Sequence, residues 1–364
     1  MEIPYYFQYP ITPEIRRAVM DVLERRIHHF GPYCRSFETK LAAVCGVPYA
    51  VAAGSGSAAI LLALHACGVQ AGDAVLMPAN VYAGVPEAAL LLGAVPTFVD
   101  IDDATWNLSA DLIPTSLWER ARAVVAQHTY GQPVDMEPLL HRAREYGVRV
   151  IEDAAHALGG EYKGTRVGGL GDVALFAVSN KGISACGVGG ANTTRDDRIA
   201  EDITLRRYHG RRDGYESERL GYNFRLTEMV AAVASCQLDS LEEWNAQRAR
   251  NAAEYRRRLT EAELPVTMQA ELPGARHAHL HFVIRVKDRD ALRRHVTGQG
   301  IDARVHYAPP AHLHRAFVER LPYREGEFPV AETLSRECLS LPCTPNVGPA
   351  EIEYVVDRIA DFYR

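Results

Sequence analysis

The chain has 364 residues, 47% of them hydrophobic, and a formal net charge of −6. This weakly acidic balance excludes a protein built to bind nucleic acid through a basic surface. No stretch reaches the roughly 18 apolar residues of a membrane-spanning helix, and the acidic first residues predict no signal peptide. The seven cysteines are scattered without a C-x-x-C pair, so we expect reduced thiols, no metal site and a cytoplasmic protein.

Short apolar runs alternate with helical patterns between about residues 50 and 195. The runs are nearly continuous in hydrophobicity, which is typical of parallel strands that helices cover on both faces. The predicted strands are residues 74–77, 97–100, 123–126, 148–151 and 173–176, and the predicted helices include 58–65, 86–92 and 136–146. This alternation predicts βαβ units and an α/β fold.

The pattern changes in the last third of the chain. A long helix is predicted up to about residue 259, with Thr227 as its N-cap and Glu228 in its first turn. The elements predicted after it are a strand at 281–286, a helix from about residue 290, a strand at 301–306 and a helix at 350–363. We therefore expect a large domain over residues 1–240, which includes an N-terminal arm, and a smaller α+β domain over residues 241–364.

Three short segments could carry chemistry. The segment Gly54-Ser55-Gly56-Ser57 precedes a predicted helix, and such an N-terminus offers backbone N–H groups and a positive dipole end to a phosphate. Asp153 follows the strand at 148–151, at the sheet edge where ligands of open α/β folds bind. Lys181 stands in a loop of small residues after an apolar strand. Poor solvation there lowers the pKa of an amine and favours its reaction with an aldehyde.

Each feature has an ordinary explanation by itself. The first could be an N-cap loop without a ligand, Asp153 a helix-capping residue and Lys181 a surface charge. Their order within one βαβ region favours a common site. Further motifs occur along the whole chain, in the order Gly31-Pro32, Tyr130-Gly131-Gln132, Glu152-Asp153-Ala154-Ala155-His156, Gly221-Tyr222-Asn223-Phe224-Arg225, His306-Tyr307 and Leu339-Ser340-Leu341-Pro342.

With these motifs the chain resembles, nearly from end to end, the DegT/DnrJ/EryC/StrS-type sugar aminotransferases. These are fold-type I enzymes that depend on pyridoxal 5′-phosphate (PLP). The resemblance implies a mostly parallel seven-stranded sheet flanked by helices, and a cofactor that alternates between PLP and its amine form, pyridoxamine phosphate (PMP). It also implies a homodimer with shared active sites, and twofold symmetry is the commonest arrangement for a dimer.

The resemblance assigns roles to individual residues. Lys181 matches the lysine that binds the cofactor covalently, Asp153 the partner of its pyridine nitrogen, and His156 the residue that faces its phenolic oxygen. The other implied cofactor contacts are the phosphate loop Ser55, Gly56 and Ser57, the ring-stacking Tyr82, the hydroxyl of Ser179, and Asn223 from the neighbouring subunit. The candidate substrate residues are Tyr307, His306 and His312.

The chain departs from the family pattern around the lysine. Where the family has Phe-Ser-Phe, this chain has Phe176-Ala177-Val178, and the segment up to Lys181 is one residue shorter. The phosphate-binding serine is therefore lost or replaced by Ser179. Val188 stands where the family has an acidic residue, and Ser57 replaces a threonine but keeps a hydroxyl. We expect these changes to reshape the substrate pocket without removing a residue that the chemistry requires.

The implied activity is transfer of an amino group from glutamate or glutamine to a keto sugar, such as a nucleotide-linked keto-hexose, or to a cyclitol ketone. Such a reaction serves amino-sugar, antibiotic or polysaccharide biosynthesis. A sugar phosphate or a cyclic keto acid remains open as a substrate. The alternatives are a dehydratase of the same family, which carries histidine in place of the lysine, and a non-catalytic regulatory relative. Lys181 and Asp153 disfavour both.

Overall fold

The computed structural model describes residues 1–179, 181–184 and 187–364, so Asn180, Ala185 and Cys186 lie outside the described residues. In these ranges the strands are β1 (Tyr49–Ala53), β2 (Ala74–Pro78), β3 (Val95–Val99), β4 (Ala121–Gln127), β5 (Arg149–Asp153), β6 (Glu161–Tyr162), β7 (Thr165–Arg166), β8 (Val173–Val178), β9 (Gly189–Thr194), β10 (Thr267–Met268), β11 (Ala275–Arg276), β12 (Phe282–Arg285) and β13 (Cys338–Leu341). The helices are α1 (Pro13–Arg25), α2 (Pro32–Cys45), α3 (Gly56–Ala66), α4 (Gly84–Leu91), α5 (Thr115–Trp118), α6 (Met136–Tyr146), α7 (Asp197–Arg206), α8 (Glu228–Leu238), α9 (Leu241–Glu261), α10 (Arg289–Gly298), α11 (Arg315–Val318), α12 (Pro329–Glu337) and α13 (Pro349–Tyr363). None of the helices in the described ranges is long and apolar enough to cross a lipid bilayer.

A large sheet forms the centre of the fold. Seven of the described strands join it in the order β1-β9-β8-β5-β4-β2-β3. Strands β8, β5, β4, β2 and β3 pair in parallel, whereas β9 runs antiparallel to both of its neighbours. The expected α/β fold with a mostly parallel seven-stranded sheet is confirmed, and the five strands predicted from apolar runs correspond to β2, β3, β4, β5 and β8.

Helix α3 connects the first strand of this sheet to the rest of the fold. Its residues 58–64 are all buried, because the helix packs on β8 and β9 and is covered by α4 and α7. A helix that is buried on every side is apolar on every side, which explains its sequence. The packing also fixes the N-terminus of α3 at the carboxyl edge of the sheet.

The long helix predicted from residue 227 to about 259 is two helices, α8 and α9. Thr227 is the N-cap as expected, since its side chain accepts a hydrogen bond from the N–H of Val230 (3.5 Å). The break falls at Asp239 and Ser240, whose N–H groups bond to carbonyl oxygens only three residues back. Both residue types compete for backbone hydrogen bonds in a helix, and the carboxylate of Asp239 instead pairs with Lys40 (2.6 Å).

The strand predicted at 301–306 is wrong. In this stretch the structure has isolated bridges, from Ile301 to Ile3 and from Arg304 to Ser340. The backbone partners are thus divided between the N-terminal arm and β13, so that a regular ladder does not form. The C-terminal third contains the small sheet β10-β12-β13, whose apolar core is shared with α9, α10 and α13. The domain boundary near residue 240 stays a prediction.

Candidate active site

Side chains from several strand ends meet at the carboxyl edge of the large sheet. Asp153 ends β5, Gln127 ends β4, and Lys181 lies in the connection that follows β8. A cavity of about 210 Å³ opens at this edge. The predicted site residues that line it are Ser55, Gly56, Ser57, Tyr82, Asp153, His156, Ser179, Lys181 and Tyr307.

The N-terminus of α3 forms one wall of the cavity. Ser55 is the N-cap: its Oγ accepts from the N–H of Ala58 and its carbonyl oxygen accepts from Ala59, both at 3.0 Å. The N–H groups of Gly56 and Ser57 have no acceptor within the helix, and they stand at the positive end of its dipole. Gly190 lies against this turn, where a Cβ atom would be 2.3 Å from the carbonyl oxygen of Ser55. The arrangement fits a phosphate group.

Lys181, His156 and Tyr307 form a triangle of polar atoms. Nζ of Lys181 lies 3.0 Å from Nε2 of His156 and 3.5 Å from the hydroxyl of Tyr307, and the last two atoms are 3.0 Å apart. At Nδ1, the His156 ring accepts a hydrogen bond from the N–H of Tyr130 (3.3 Å). Burial, together with the charge of Lys181, lowers the pKa of His156 well below its usual value. The ring is therefore neutral, with its proton on Nε2.

The amine of Lys181 is easier to deprotonate than an ordinary lysine. Burial lowers its pKa to about 8, against the opposing effect of the Asp153 charge. At pH 7 a pKa of 8 leaves about a tenth of the molecules neutral, compared with fewer than about one in a thousand for an unperturbed lysine. The neutral amine is the nucleophile, so the environment prepares Lys181 to react with a carbonyl carbon.

Asp153 is a buried carboxylate without an ion-pair partner among the described residues. Its Oδ1 accepts from the N–H of Ala155 (3.2 Å), and none of the ion pairs among the described residues includes it. Burial raises the pKa of Asp153, against the opposing effects of the Ala155 N–H and of the His128 and Lys181 charges. A protonated ring nitrogen placed against this carboxylate supplies the missing charge.

Residues 10–360 of the chain match the DegT/DnrJ/EryC1/StrS aminotransferase family. The chain belongs to this family. It is 38% identical over 357 residues to a pleiotropic regulatory protein of Geobacillus stearothermophilus, with 97% of this chain and 95% of that relative covered. It is 35% identical to the dTDP-3-amino-3,4,6-trideoxy-alpha-D-glucose transaminase of Streptomyces venezuelae, with 97% and 93% covered.

Solved structures of the DegT/DnrJ/EryC1/StrS family have the same fold. The crystal structure of S. venezuelae DesV in complex with a ketimine intermediate matches with a TM-score of 0.91 at 34% identity, over 96% of this chain and 94% of that chain. A family aminotransferase from Brucella abortus matches with a TM-score of 0.90 at 28% identity, over 96% and 95%. The chain is therefore a PLP-dependent aminotransferase of fold type I.

The cavity residues fit the cofactor of the family. We propose that the N-terminus of α3 holds the phosphate, Lys181 binds the cofactor covalently, His156 donates its Nε2–H to the phenolic oxygen, and Asp153 faces the ring nitrogen. When bound here, PLP supplies an electrophilic carbon and a ring that accepts electrons. Two features of the described residues favour such a ligand. One is the buried carboxylate of Asp153, which has no ion-pair partner within 4.0 Å among them, and the other is the set of N–H groups in the first turn of α3, which have no acceptor within the helix.

Covalent attachment of PLP to the apoprotein is expected to follow the ionisation of Lys181. The neutral amine is the reacting form, so the attachment rate should rise about tenfold per pH unit up to about pH 8 and then level off. Stopped-flow measurement of the visible absorbance after mixing apoprotein with PLP checks this. A rate that keeps rising towards 10.5, the usual pKa of lysine, would show that burial does not tune the amine.

Tyr82 and Gln127 also line the cavity. The N–H of Tyr82 donates to Oε1 of Gln127 (2.9 Å), which ties the tyrosine to the end of β4. The Tyr82 ring is 48% exposed, and its centroid lies 5.9 Å from that of Tyr307. This is a position from which an aromatic ring can cover a planar ligand. Gln127 was not predicted, although it ends a parallel strand as Asp153 does, which is a usable signal.

Apart from Ser57 in α3, the departures from the family pattern lie at the ends of β8 and β9. Ala177, where the family has its phosphate serine, faces the first turn of α3: a Cβ atom on Gly56 would be 3.0 Å from its own. Ser179 lines the cavity, and we propose that its hydroxyl replaces the lost serine. Val188 also lines the cavity and is 61% exposed, so the cavity has an apolar side chain where the family has a carboxylate.

Asn223 is not among the described residues that line the cavity of its own chain. Its side chain is exposed, and Oδ1 accepts from Nε of Arg225 (2.9 Å). The flanking backbone is held firmly: the carbonyl oxygen of Phe224 accepts from the N–H of Gly54 (2.7 Å), and that of Tyr222 accepts from His209 (2.8 Å). The segment therefore presents Asn223 outwards, next to the phosphate loop.

The candidate substrate residues are divided by the structure. Tyr307 lines the first cavity, and His306 lines a second cavity beside it. His312 lines neither, and the expectation that it contacts substrate is corrected: it is buried, with Nε2 against Glu332 (3.2 Å) and its ring 4.8 Å from that of Phe328. An apolar environment and a buried carboxylate hold this ring in the core.

The second cavity measures about 200 Å³ and shares Lys181 and Ser179 with the first. Its further lining residues include Tyr5, Tyr9, Arg248, His281 and His306. Apart from His306, sequence reasoning missed them. They lie far apart in the chain, and no local motif marks them.

Proposed function

We propose that this aminotransferase moves an amino group from glutamate or glutamine to the 3-keto group of a nucleotide-linked hexose. The geometry of Lys181, His156 and Asp153 in one cavity supports amino-group transfer. Support for the position comes from names: the S. venezuelae relative is named for a 3-amino sugar. So is a dTDP-3-amino-3,6-dideoxy-alpha-D-galactopyranose transaminase of Aneurinibacillus thermoaerophilus (35% identical), and a relative in Acidithiobacillus ferrooxidans (32%) is named as a 3-aminotransferase of UDP-N-acetyl-3-dehydro-alpha-D-glucosamine.

The observation that carries the proposal is the position of Lys181 Nζ, within hydrogen-bonding distance of His156 and at the junction of two cavities. Once free of the cofactor, this amine can take a proton from the α-carbon of the donor and later deliver one to the sugar carbon. His156 keeps its proton on Nε2 and stabilises the phenolic oxygen. Asp153 keeps the ring nitrogen protonated.

A half-reaction screen tests the substrate. Enzyme loaded with PMP is mixed with ketones one at a time, and recovery of the visible absorption of the PLP form is followed. We expect fast recovery with nucleotide-linked 3-keto-hexoses and slow recovery with 4-keto-hexoses, free cyclitol ketones and sugar phosphates. Preference for any of the last three would overturn the substrate assignment while leaving the aminotransferase activity intact.

One relative carries the name of a regulatory protein, and that name is said of the G. stearothermophilus protein alone. In this chain the cofactor lysine and the ring-nitrogen aspartate are both present and lie in one cavity. No regulatory role is therefore proposed.

We further propose a homodimer in which Asn223 reaches the cofactor phosphate of the neighbouring subunit. The exposed position of Asn223 and the fixed backbone around it support this. Asn223→Ala is then expected to weaken PLP binding by roughly 1.5–3 kcal/mol, the contribution of a charge-assisted hydrogen bond. Equilibrium titration of the apoprotein with PLP measures the change.

A mixed dimer distinguishes a contact between subunits from one within a subunit. Subunits with Asn223→Ala are mixed with subunits with Lys181→Ala at a PLP concentration that leaves the first variant largely unloaded. For a contact between subunits, both lesions fall on one site and the other site is wild-type, so activity appears on mixing. Native mass spectrometry of the mixture, which detects the mixed dimer directly, controls for subunit exchange. No gain on mixing, or full activity in a monomer, would rule out the shared site.

A further inference from the structure

The second cavity is a chamber next to the first, and Lys181 lines both. Its walls come from the N-terminal arm (Tyr5, Tyr9), from α9 (Arg248) and from the residue before β12 (His281). Because Lys181 and Ser179 line both cavities, a small molecule here lies directly beside the group that handles the proton.

Arg248 brings a buried positive charge to this chamber. Its side chain is 2% exposed. Nη1 donates to Oδ1 of Asn245 (2.7 Å), Nη2 donates to the carbonyl oxygen of Gly182 (3.4 Å), and the ring of Phe7 lies 6.0 Å from the guanidinium carbon. These are neutral partners. None of the ion pairs in the described part of the chain includes Arg248.

The neighbouring acids cannot balance that charge. Burial raises the pKa of Tyr9 to about 12 and that of Cys343 to about 12, so both stay protonated and neutral. Removing a guanidinium from water without a counter-ion is strongly unfavourable. Because the folded chain buries Arg248 despite this cost, we expect an anionic ligand to bind the guanidinium group.

His281 provides a second, independent donor. Its Nδ1 lies 2.5 Å from the hydroxyl of Tyr5, while its buried Nε2 has no hydrogen-bond partner among the described residues. Burial lowers the pKa of His281 well below its usual value and raises that of Tyr5 well above. With Tyr5 donating to Nδ1, the single proton of the neutral ring stands on Nε2 as an unused donor. The lining of the chamber thus includes a buried cation and a histidine ring whose buried Nε2–H has no partner among the described residues.

We propose that Arg248 and His281 bind the α-carboxylate that glutamate and glutamine share, and thereby place the amino group of the donor against the cofactor. This rests on the proposed function, because it assumes an amino-acid donor. A guanidinium with a nearby N–H donor matches a carboxylate in charge and hydrogen-bonding capacity. The phosphate loop lines only the first cavity, whereas Arg248 and His281 line only the second. Lys181 would therefore face the cofactor in the first cavity and the amino-acid donor in the second.

The two half-reactions, measured separately, test this assignment. In the first, PLP-loaded enzyme is mixed with glutamate and the loss of visible absorption is followed. In the second, PMP-loaded enzyme is mixed with the nucleotide-linked 3-keto-hexose that reacts fastest in the ketone screen. Arg248→Met is expected to lower the apparent second-order rate constant of the first by about a hundredfold or more, and to leave the second within about threefold. Arg248→Lys should retain part of the first rate. Arg250→Met, on the exposed face of the same helix, is the matched control.

A substrate lacking the α-carboxylate sharpens the test. With 4-aminobutyrate in place of glutamate, the wild-type enzyme is expected to be slow, and Arg248→Met should slow it by less than about threefold, since the group that Arg248 binds is gone. An equal loss in both half-reactions would overturn the proposal, because it would point to a structural role through Gly182 or to a contact with the sugar nucleotide. Unchanged reaction with glutamate would overturn it as well. Failure of the proposed function looks different: the wild-type enzyme itself would not convert PLP to PMP with glutamate or glutamine.

Discussion

Replacement of Lys181 by alanine is expected to lower steady-state transamination below about a thousandth of the wild-type rate. The described lining of the active-site cavity includes no second amine that could attach to the cofactor and then carry the proton. The variant should still bind PLP without a covalent bond, through the N-terminus of α3 and Asp153. Borohydride reduction followed by mass spectrometry should attach the cofactor to the wild-type chain and not to the variant.

The control for this experiment is Lys163→Ala. Lys163 is exposed and pairs with Glu137 at the surface, so its loss should leave turnover and labelling unchanged. Turnover of Lys181→Ala within tenfold of wild type, or borohydride labelling of another lysine, would remove Lys181 from the mechanism.

Asp153→Asn is expected to reduce turnover by about two orders of magnitude or more with the fold retained. The amide is nearly isosteric and can still accept from the N–H of Ala155, but it cannot balance a protonated ring nitrogen. Because the Asp153 charge raises the pKa of Lys181, its removal should also move the pH midpoint of PLP attachment below about 8. Single-turnover kinetics and the attachment profile measure the two effects.

Asp239→Asn is a suitable control for the charge change, because that carboxylate is exposed and pairs with Lys40 away from the site. If Asp153→Asn loses little activity and the cofactor spectrum is unchanged, Asp153 serves only to cap the turn at Ala155. In that outcome the ring nitrogen has another partner or remains unprotonated.

The parallel strands and the edge where the site lies could be predicted because continuous apolar runs report burial on both faces. Strand β9 could not, since its sequence is Gly-Gly-Ala-Asn-Thr-Thr. It is buried nonetheless, because its polar side chains find partners inside the fold. The side-chain amide nitrogen of Asn192 donates to the carbonyl oxygens of Ala59 (2.9 Å) and Ala174 (3.2 Å). The hydroxyl of Thr193 donates to the carbonyl oxygen of Gly168 (2.6 Å). These contacts join residues far apart in the chain, so the local sequence pattern of β9 does not predict them.

The site was predictable to the same extent. Lys181, Asp153 and the turn at Ser55 belong to local motifs, and the fold brings them into one cavity. Arg248 lies in helix α9 and His281 directly before strand β12. Neither segment contains a motif that marks a functional residue. Both residues become functional candidates because the N-terminal arm packs beside them and completes the second cavity. The hydrophobic periodicity of a sequence does not predict such long-range packing. His312 shows the opposite failure, since a polar residue in a resembling segment proved to be a packed core side chain.

The backbone around Asn223 is already ordered within one subunit, through hydrogen bonds from Gly54 to Phe224 and from His209 to Tyr222. Its conformational entropy is therefore lost when the subunit folds rather than when two subunits meet. Fixing a residue costs about 1–2 kcal/mol, so a loose segment of this length would weaken association by several kcal/mol. A rigid one docks as it stands. In the proposed dimer, composite sites would then form at the rate of subunit encounter, with no ordering step in between.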